Sequence, residues 1–395
     1  MNKTKYFLLF VCASSMMLSC KKDKEESPTD TSDPNANLKA EIVSNYADMV
    51  YASYEDSYDL AVVLDKKIDA FIASPSALTL ADAKQAWLDA REPYGQTEVY
   101  RFYGGAIDDG DGPEPFLNSW PLDEAYIDYV IGNSTSGIIN NTAAYPSISE
   151  SLLLSLNQSG AEENVALGFH AIEFLLWGQD TSDNNAGLRQ HTDYHTTGGT
   201  AANQARRAQY LSIASDVLVA FLFDLKEEWS SSASGNYRSE FLALDKNEAI
   251  RKMMVGMAIL SKNELAGERM YVAYDNQDQE DEHSCFSDNT HRDIILNAKG
   301  IHNVYIGTYQ RVDGSFVTGS SIEDLAAILS PTLNTQVLTS LSDADTKCGS
   351  IYVPFDQAIV LPAERVIVLD AVTHLQSQGD LIVQLAAAMG YTIVL

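Results

Sequence analysis

Apolar residues recur every three to four positions through most of the chain, the period of helices that bury one face. The spacing predicts helices over Asn37–Ala73, Leu80–Phe102, Glu162–Trp177, Ala202–Ser230 and Asn247–Asp275, with shorter ones over Ile322–Leu329, Ala363–Gln376 and Asp380–Met389. No segment sustains a strand alternation bounded by hairpin turn residues, so the fold class is all-α. Loops rich in Gly, Asp, Asn and Thr separate the helices at 104–118, 181–200 and 276–291. Pro93 falls inside the second helix and is expected to bend it, because its ring removes one backbone hydrogen bond.

One helix breaks the pattern. From Val165 to Trp177 only His170 and Glu173 are polar. Ser159 with Glu162 reads as a capping box at its start, and Gly178 as its stop. Residues three apart share a helix face, so the imidazole and the carboxylate point the same way. An ionisable pair in an apolar helix is costly unless something satisfies it. A metal ion would do so; a plain hydrogen-bonded pair that fixes packing is the alternative.

Polar stripes mark two further helices. Trp87, Arg91, Tyr94, Glu98 and Arg101 share one face of the first, and Ser261, Glu264, Glu268, Tyr271 and Asp275 share one face of the second. Each helix runs into an acidic loop, around Asp108 in one case and around Asp281–Asp288 in the other, which suggests a duplicated unit. Solvated outer faces are the commonest use of such stripes, but the large rings argue against that here. Asp109-x-Asp111-Gly112 is not an EF-hand loop, since Pro113 takes the next ligand position and no Glu occupies the twelfth.

The N-terminus reads as an address. Lys3 and Lys5 precede an apolar run from Tyr6 to Met17, and Leu18-Ser19-Cys20 fits a bacterial lipobox, so residues 1–19 are expected to be a signal peptide and Cys20 the lipidated residue. The run is too short to span a bilayer, and no other segment reads as a span. Residues 20–36 form a polar tether, and Lys21 after the lipidated Cys favours the outer membrane, on its periplasmic or surface face.

The chain carries 26 basic and 55 acidic residues; without Lys3 and Lys5 the balance is 24 against 55, or −31. Such a surface repels nucleic acid and anionic headgroups, leaving the lipid as the expected membrane contact. Once Cys12 leaves with the signal and Cys20 is lipidated, Cys285 and Cys348 remain, and outside the cytoplasm a disulfide between them is expected.

In combination these blocks resemble the imelysin family, also classed as peptidase family M75. The resemblance rests on Gly168-x-His170-x-x-Glu173, the run from Trp87 through Arg91, Tyr94 and Glu98 to Phe102, Asn118-x-Trp120-Pro121-Leu122-Asp123, Glu264–Met270 and Glu282–His291. It implies two helical-bundle domains, taken as 37–235 and 236–395, with the site near their interface. It also implies an envelope protein of bacterial iron acquisition, working with iron-transport components.

Facing Glu and His side chains are the usual metal ligands of helical bundles. His170, Glu173 and Glu98, completed by water, an exogenous anion or Asp108, make an oxygen-rich set that favours iron while leaving zinc open. Arg101 would steady Glu98 or bind an anion accompanying the metal, and Glu264, Glu268, His283, Asp288 and His291 would line the interface. The peptidase reading has no His-Glu-x-x-His or His-x-x-Glu-His. It would draw a third ligand from His283 or His291 and a water-activating carboxylate from Glu98 or Glu264. A receptor-docking protein with a vestigial site is the third alternative.

Overall fold

The computed structural model describes residues 33–182 and 184–395. The expected signal peptide, Cys20 and most of the expected tether lie outside the described residues. Long helices dominate, as the periodicity requires. Ala36–Ala73 packs against Ala77–Thr97 and Gln204–Glu228, and Pro362–Ala388 packs against Pro331–Gly349, Lys246–Ile259 and the 260–271 segment. Thr290–Ile306 joins the two groups, lying against both Ala77–Thr97 and Pro331–Gly349. A buried apolar cluster runs from Ile42 to Ile393 and crosses the expected domain boundary at 235/236.

The helices start where their caps dictate. Ser76 accepts from the Thr79 amide while Thr79 caps back, and Ser321 and Asp324 repeat that reciprocal arrangement. Pro93 sits within the Ala77–Thr97 helix, which then tightens into a 3-10 turn over Glu98–Tyr100. Gln204–Glu228 is long and apolar enough to cross a membrane by length and composition, but its Leu211, Ala214, Leu218, Leu222 and Leu225 face is buried in the protein.

Several elements differ from the expectations. The helix predicted from Glu162 begins at Phe169, because residues 157–168 form turns pinned by one side chain. Asn157 donates to the Pro115 carbonyl at 2.6 Å and accepts from the amides of Ala166 and Leu167 at 2.8 and 3.1 Å. The two helices predicted over 363–389 are one, Pro362–Ala388. Thr290–Ile306 and Pro331–Gly349 were not predicted, and a small antiparallel hairpin pairs Thr308–Gln310 with Phe316–Thr318. The residues remain overwhelmingly helical, so the all-α class holds.

A second correction concerns the cysteines. Cys285 and Cys348 do not pair; each is a free, buried thiol. Cys285 sits in the 282–289 loop beside Phe286 and Cys348 near the end of the Pro331–Gly349 helix. Burial pushes the Cys348 thiol up to about 12, and that of Cys285 well up, so neither is poised as a thiolate.

The crossing of Ala77–Thr97 with Thr290–Ile306 positions the site. A Cβ on Gly300 would lie 2.5 Å from the Gln96 carbonyl oxygen, and one on Gly95 would lie 2.8 Å from Leu296 Cβ. Missing side chains on both helices therefore allow the backbones to touch, and Asn297 donates to the Gly95 carbonyl at 2.9 Å. Gly300→Ala should force the helices apart and cost about 1–3 kcal/mol, the usual penalty for overpacking. Gly349→Ala, where a Cβ meets nothing within 4 Å, should be near neutral. Urea unfolding of the two variants beside the wild type checks this; equal stabilities would show that the crossing tolerates a methyl group.

Candidate metal site

Gly168 sets the first element of the site. Its φ of +94° is a left-handed value, and a Cβ there would lie 2.7 Å from the Leu117 carbonyl oxygen. Only glycine lets the Phe169–Trp177 helix start against that turn. The helix is buried along its whole length, so His170 and Glu173 are 1% and 0% exposed. They bond to each other, with His170 Nδ1 2.9 Å from Glu173 Oε2. The other carboxyl oxygen, Oε1, accepts from the Ser287 amide at 2.9 Å and its hydroxyl at 2.6 Å. His170 Nε2 is buried and has no hydrogen-bond partner among the described residues.

A second imidazole stands beside the first. The rings of His170 and His283 lie 4.7 Å apart, centre to centre, at 74°. His283 is held in the same manner, its Nδ1 2.8 Å from Asp293 Oδ2. Asp293 also accepts from the Ser284 hydroxyl and from Arg91, whose Nη2 is 2.9 Å from Oδ1. Arg91 Nη1 in turn donates to Asn118 Oδ1 at 2.5 Å. The Asn118 amide nitrogen lies 3.5 Å from His283 Nε2 and donates to Glu98 Oε1 at 3.4 Å.

Glu98 belongs to a charged tier next to these rings. Its Oε2 accepts from Arg269 at 2.5 Å and Arg101 at 2.8 Å. Arg269 also donates to Glu264 at 2.9 Å and Asn297 at 2.6 Å. It lies on a π-helical stretch, Leu260–Tyr271, which continues the Lys246–Ile259 helix. In that wider winding residues five apart align, which brings Arg269 onto Glu264 and puts Glu268 and Tyr271 at the surface. This is why the three-four spacing of the second stripe does not describe its buried face. All of the first stripe is buried or nearly so.

Above this tier opens a polar cleft of about 400 Å³, lined by Arg101, Glu114, Glu264, Glu268, Trp120 and His283 among others. His283 is thus the imidazole that meets the cleft, and His170 lies behind it. Burial, with a further push from Arg269, lowers His283 to about 4 against Asp293, and burial and its cationic neighbours hold His170 well below its usual value. Both rings are neutral at physiological pH. Burial pushes Glu173 up to about 8 despite the Ser287 bonds, so the His170–Glu173 pair carries one shared proton and no net charge. Glu98 is the opposite case: burial raises it, but Arg269 and Arg101 outweigh that and hold it at about 2.

The structure therefore brings His170, Glu173 and His283 together, with Glu98 joined to them through Asn118. Asp108 is engaged by its own loop, accepting from the amides of Phe102 and Gly105. Arg101 and Glu264 form the cleft wall with Glu268 at its rim. His291 bonds the Asp288 carbonyl at 3.0 Å, and the Asp288 carboxyl belongs to a separate acidic cluster. Sequence reasoning missed Asp293, Arg91, Asn118, Ser287 and Arg269 as parts of the site. Arg91, Asn118, Arg269 and Ser287 stood inside the blocks that carry the family resemblance, whereas Asp293 stood in a helix that was not predicted.

An all-helical body carrying a buried Gly-x-His-x-x-Glu imidazole site defines the class of protein. Residues 50–382 match the sequence model of the imelysin family, peptidase M75, and the chain belongs to that family. It is similar to an iron-regulated protein A of Synechococcus elongatus, 25% identical over 355 residues, covering 87% of this chain and 85% of the relative. Among solved structures it is similar to a protein described as an iron-regulated protein A precursor from Parabacteroides distasonis, with a TM-score of 0.68, 22% identity and coverage of 89% and 96% of the two chains. An imelysin-like protein from Psychrobacter arcticus superposes with a TM-score of 0.61 at 14% identity, covering 91% of this chain and 98% of that one. Both show that the fold is shared.

Glu98 yields a pH test. Its carboxyl is depressed from 4.5 to about 2, so its contribution is full above pH 4.5 and is lost as pH falls toward 2. A gap of that size corresponds to about 3 kcal/mol. Glu98→Gln should therefore lose about that much at pH 7, with the difference from wild type shrinking below pH 4.5. Urea unfolding at pH 7, 5 and 3.5 reads it; a difference independent of pH would show that the arginines do not act on Glu98 as charges.

Proposed function

We propose that this protein binds a metal ion, iron, at the paired imidazoles of His170 and His283 and serves iron acquisition in the cell envelope. One observation carries the reading: a buried imidazole nitrogen, His170 Nε2, without a hydrogen-bond partner among the described residues, facing a second neutral imidazole. Buried polar atoms are ordinarily satisfied, so an orphan beside another ligand type points to something that fills the gap. Each imidazole has a carboxyl group on Nδ1, the arrangement that aims Nε2 and raises its basicity toward a metal. Glu173 and Asp293 would act in this way, while Glu98, held by Arg269 and Arg101, reaches the pair only through Asn118.

The proton count follows from the geometry. Metal at His170 Nε2 requires the tautomer in which Nδ1–H donates to an ionised Glu173, so loading should release a proton. Imidazole with carboxylate oxygens suits iron and also zinc. The names of the iron-regulated relatives favour iron. A metallopeptidase would further need a carboxylate free to activate water, and Glu98 and Glu264 are both held by arginine. The Leu18-Ser19-Cys20 lipobox supports an outer-membrane lipoprotein that hands metal to transport components.

Calorimetry with ferrous, ferric and zinc ions should show one site per chain in the wild type, and none in His170→Ala/His283→Ala, whose circular dichroism should stay helical. Repeating the titration in buffers of different ionisation enthalpy should reveal about one proton released per metal. Equal affinity in the double variant would refute the site, and metal-dependent peptide cleavage would promote the peptidase alternative. If the wild type binds no metal, the imidazole pair is structural and the receptor-docking reading takes its place. Replacing Cys20 with Ser should free the protein from the membrane fraction; unchanged, fully processed membrane protein would overturn the anchor.

A further inference from the structure

A second concentration of buried chemistry lies outside the imidazole site. Asp180, Asp288 and Asp356 each present a carboxyl oxygen, and these three atoms lie within 4.8 Å of one another. Asp180 and Asp356 are buried and Asp288 is half-buried. They come from distant parts of the chain: the loop after the Phe169–Trp177 helix, the loop before Thr290–Ile306, and the short Phe355–Val360 helix. Three acidic side chains gathered by tertiary folding do not by themselves make a site, because carboxylates can share protons.

The independent observation is a fourth carboxyl, Glu282. It is wholly buried, and neither of its oxygens has a hydrogen-bond partner of ordinary geometry among the described residues. Its carboxyl adjoins the side chains of Asp356 and Thr290, and the charges acting on it are those of Asp356 and Asp288, which sets it against the cluster. Asp180 Oδ2 and Asp288 Oδ1 are likewise buried and make no hydrogen bond of ordinary geometry among the described residues, although the two side chains adjoin each other and Asp180 Oδ1 accepts from the Ser182 amide at 3.0 Å. The charged neighbours acting most strongly on Asp180 and Asp288 are carboxylates too. Burial and this mutual repulsion push Asp180 up to about 6 and Asp288 to about 8. Burial and mutual repulsion disfavour charge on Asp180, Asp288 and Glu282 together, which a bound cation would reverse.

We propose that Asp180, Asp288, Asp356 and Glu282 form a binding site for a divalent cation of the hard, oxygen-preferring kind, calcium. Calcium takes oxygens at about 2.3–2.6 Å, so ligands on opposite sides of the ion stand roughly 5 Å apart, the span of this cluster. Magnesium, at about 2.1 Å, would draw the oxygens closer than roughly 4.2 Å and keeps more of its water. The set contains no imidazole or thiolate, which separates it chemically from the His170–His283 pair. The ion would tie Asp356 of the C-terminal region to the two loops that flank Glu173. Ser287, which bonds Glu173, immediately precedes Asp288, so calcium would stiffen the loop that aims the imidazole site without entering that site.

The test uses the mature chain, stripped with EDTA and titrated calorimetrically with calcium and with magnesium, beside thermal melts in each salt. One calcium per chain is expected, tighter than magnesium, with a melting temperature several degrees higher in saturating calcium. Asp180→Asn/Asp356→Asn should lose the calcium heat and the thermal shift, whereas His170→Ala/His283→Ala should keep both. Should the double Asn variant not fold, Asp288→Asn, at the half-buried position, provides the same comparison. A wild type without calcium heat or thermal shift overturns the proposal and leaves the cluster as proton-sharing acids. Calcium binding that survives the Asn variants and disappears with the His variants also overturns it, by moving the ion to the imidazoles. Failure of iron binding in the earlier titration leaves this outcome untouched, because the two sites share no ligand.

Discussion

Arg91 and Asp293 meet as a wholly buried ion pair, each 1% exposed, and the geometry of the imidazole site hangs on that contact. The two residues are 202 positions apart and lie on the two helices whose glycines allow them to touch. Breaking such a pair from one side leaves an uncompensated charge in the interior, at a cost of about 3–5 kcal/mol. Here both partners have further work to hold in place. Asp293 fixes the ring of His283 and the hydroxyl of Ser284, and Arg91 fixes Asn118, which reaches Glu98. Arg91 also lies 5.0–5.6 Å from the rings of Trp87, Tyr94 and Phe169, so its charge is stacked as well as paired. A fully satisfied network of this kind specifies one arrangement of the core, since any shift would leave several of its members unpartnered at once.

The site keeps its charged and neutral tiers apart. Arg91 with Asp293 and Arg269 with Arg101 and Glu98 are fixed ion pairs, and the His170–Glu173 unit between them is net neutral. A neutral imidazole is far cheaper to bury than an imidazolium, and the nearby guanidinium groups reinforce that preference by repelling an added proton. The consequence is imidazoles that stay neutral well below neutral pH. The overall charge of −29 acts at longer range, drawing cations toward the protein, while the cleft above His283 combines Glu114, Glu264 and Glu268 with two arginines and so is not simply acidic.

Much of this was legible in the residues, and the parts that were not have physical reasons. Period and composition marked most of the long helices and the all-α class because amphipathic spacing is a local property. The pairing of His170 with Glu173 was visible for the same reason, being an i,i+3 relation within one helix. His283 was placed near the interface by resemblance, but its partner Asp293 lay in Thr290–Ile306, whose many buried polar residues (Asp293, Asn297 and Thr290) blur the apolar stripe. Glu98 looked like a free ligand because sequence shows its helical neighbour Arg101 and not Arg269, which arrives from 171 residues away. The π-helical winding defeated the stripe through Glu264 and Glu268, since no spacing rule for an α-helix puts residue 269 over residue 264. Gly178 did end its helix, whereas Ser159 did not begin it, because Asn157 captured the amides that a helix would have used.

The 282–293 segment shows how little of this loop is free to vary. Glu282 faces the acidic cluster, His283 faces the other imidazole, and Ser284 bonds Asp293. Phe286 packs on Phe174, Ser287 holds Glu173 through two bonds, and Asp288 joins the cluster with a left-handed φ of +57°. That strained backbone value aims the Ser287 and Asp288 side chains to different destinations, and surrounding contacts must hold it. Different residues of one loop therefore serve the imidazole pair and the carboxylate cluster. A displacement of the loop large enough to empty one set of contacts would misalign the other, since the connecting residues are buried and hydrogen-bonded. Rigidity of this segment, rather than the identity of any single side chain, is what places two neutral imidazoles edge to face in a dry interior.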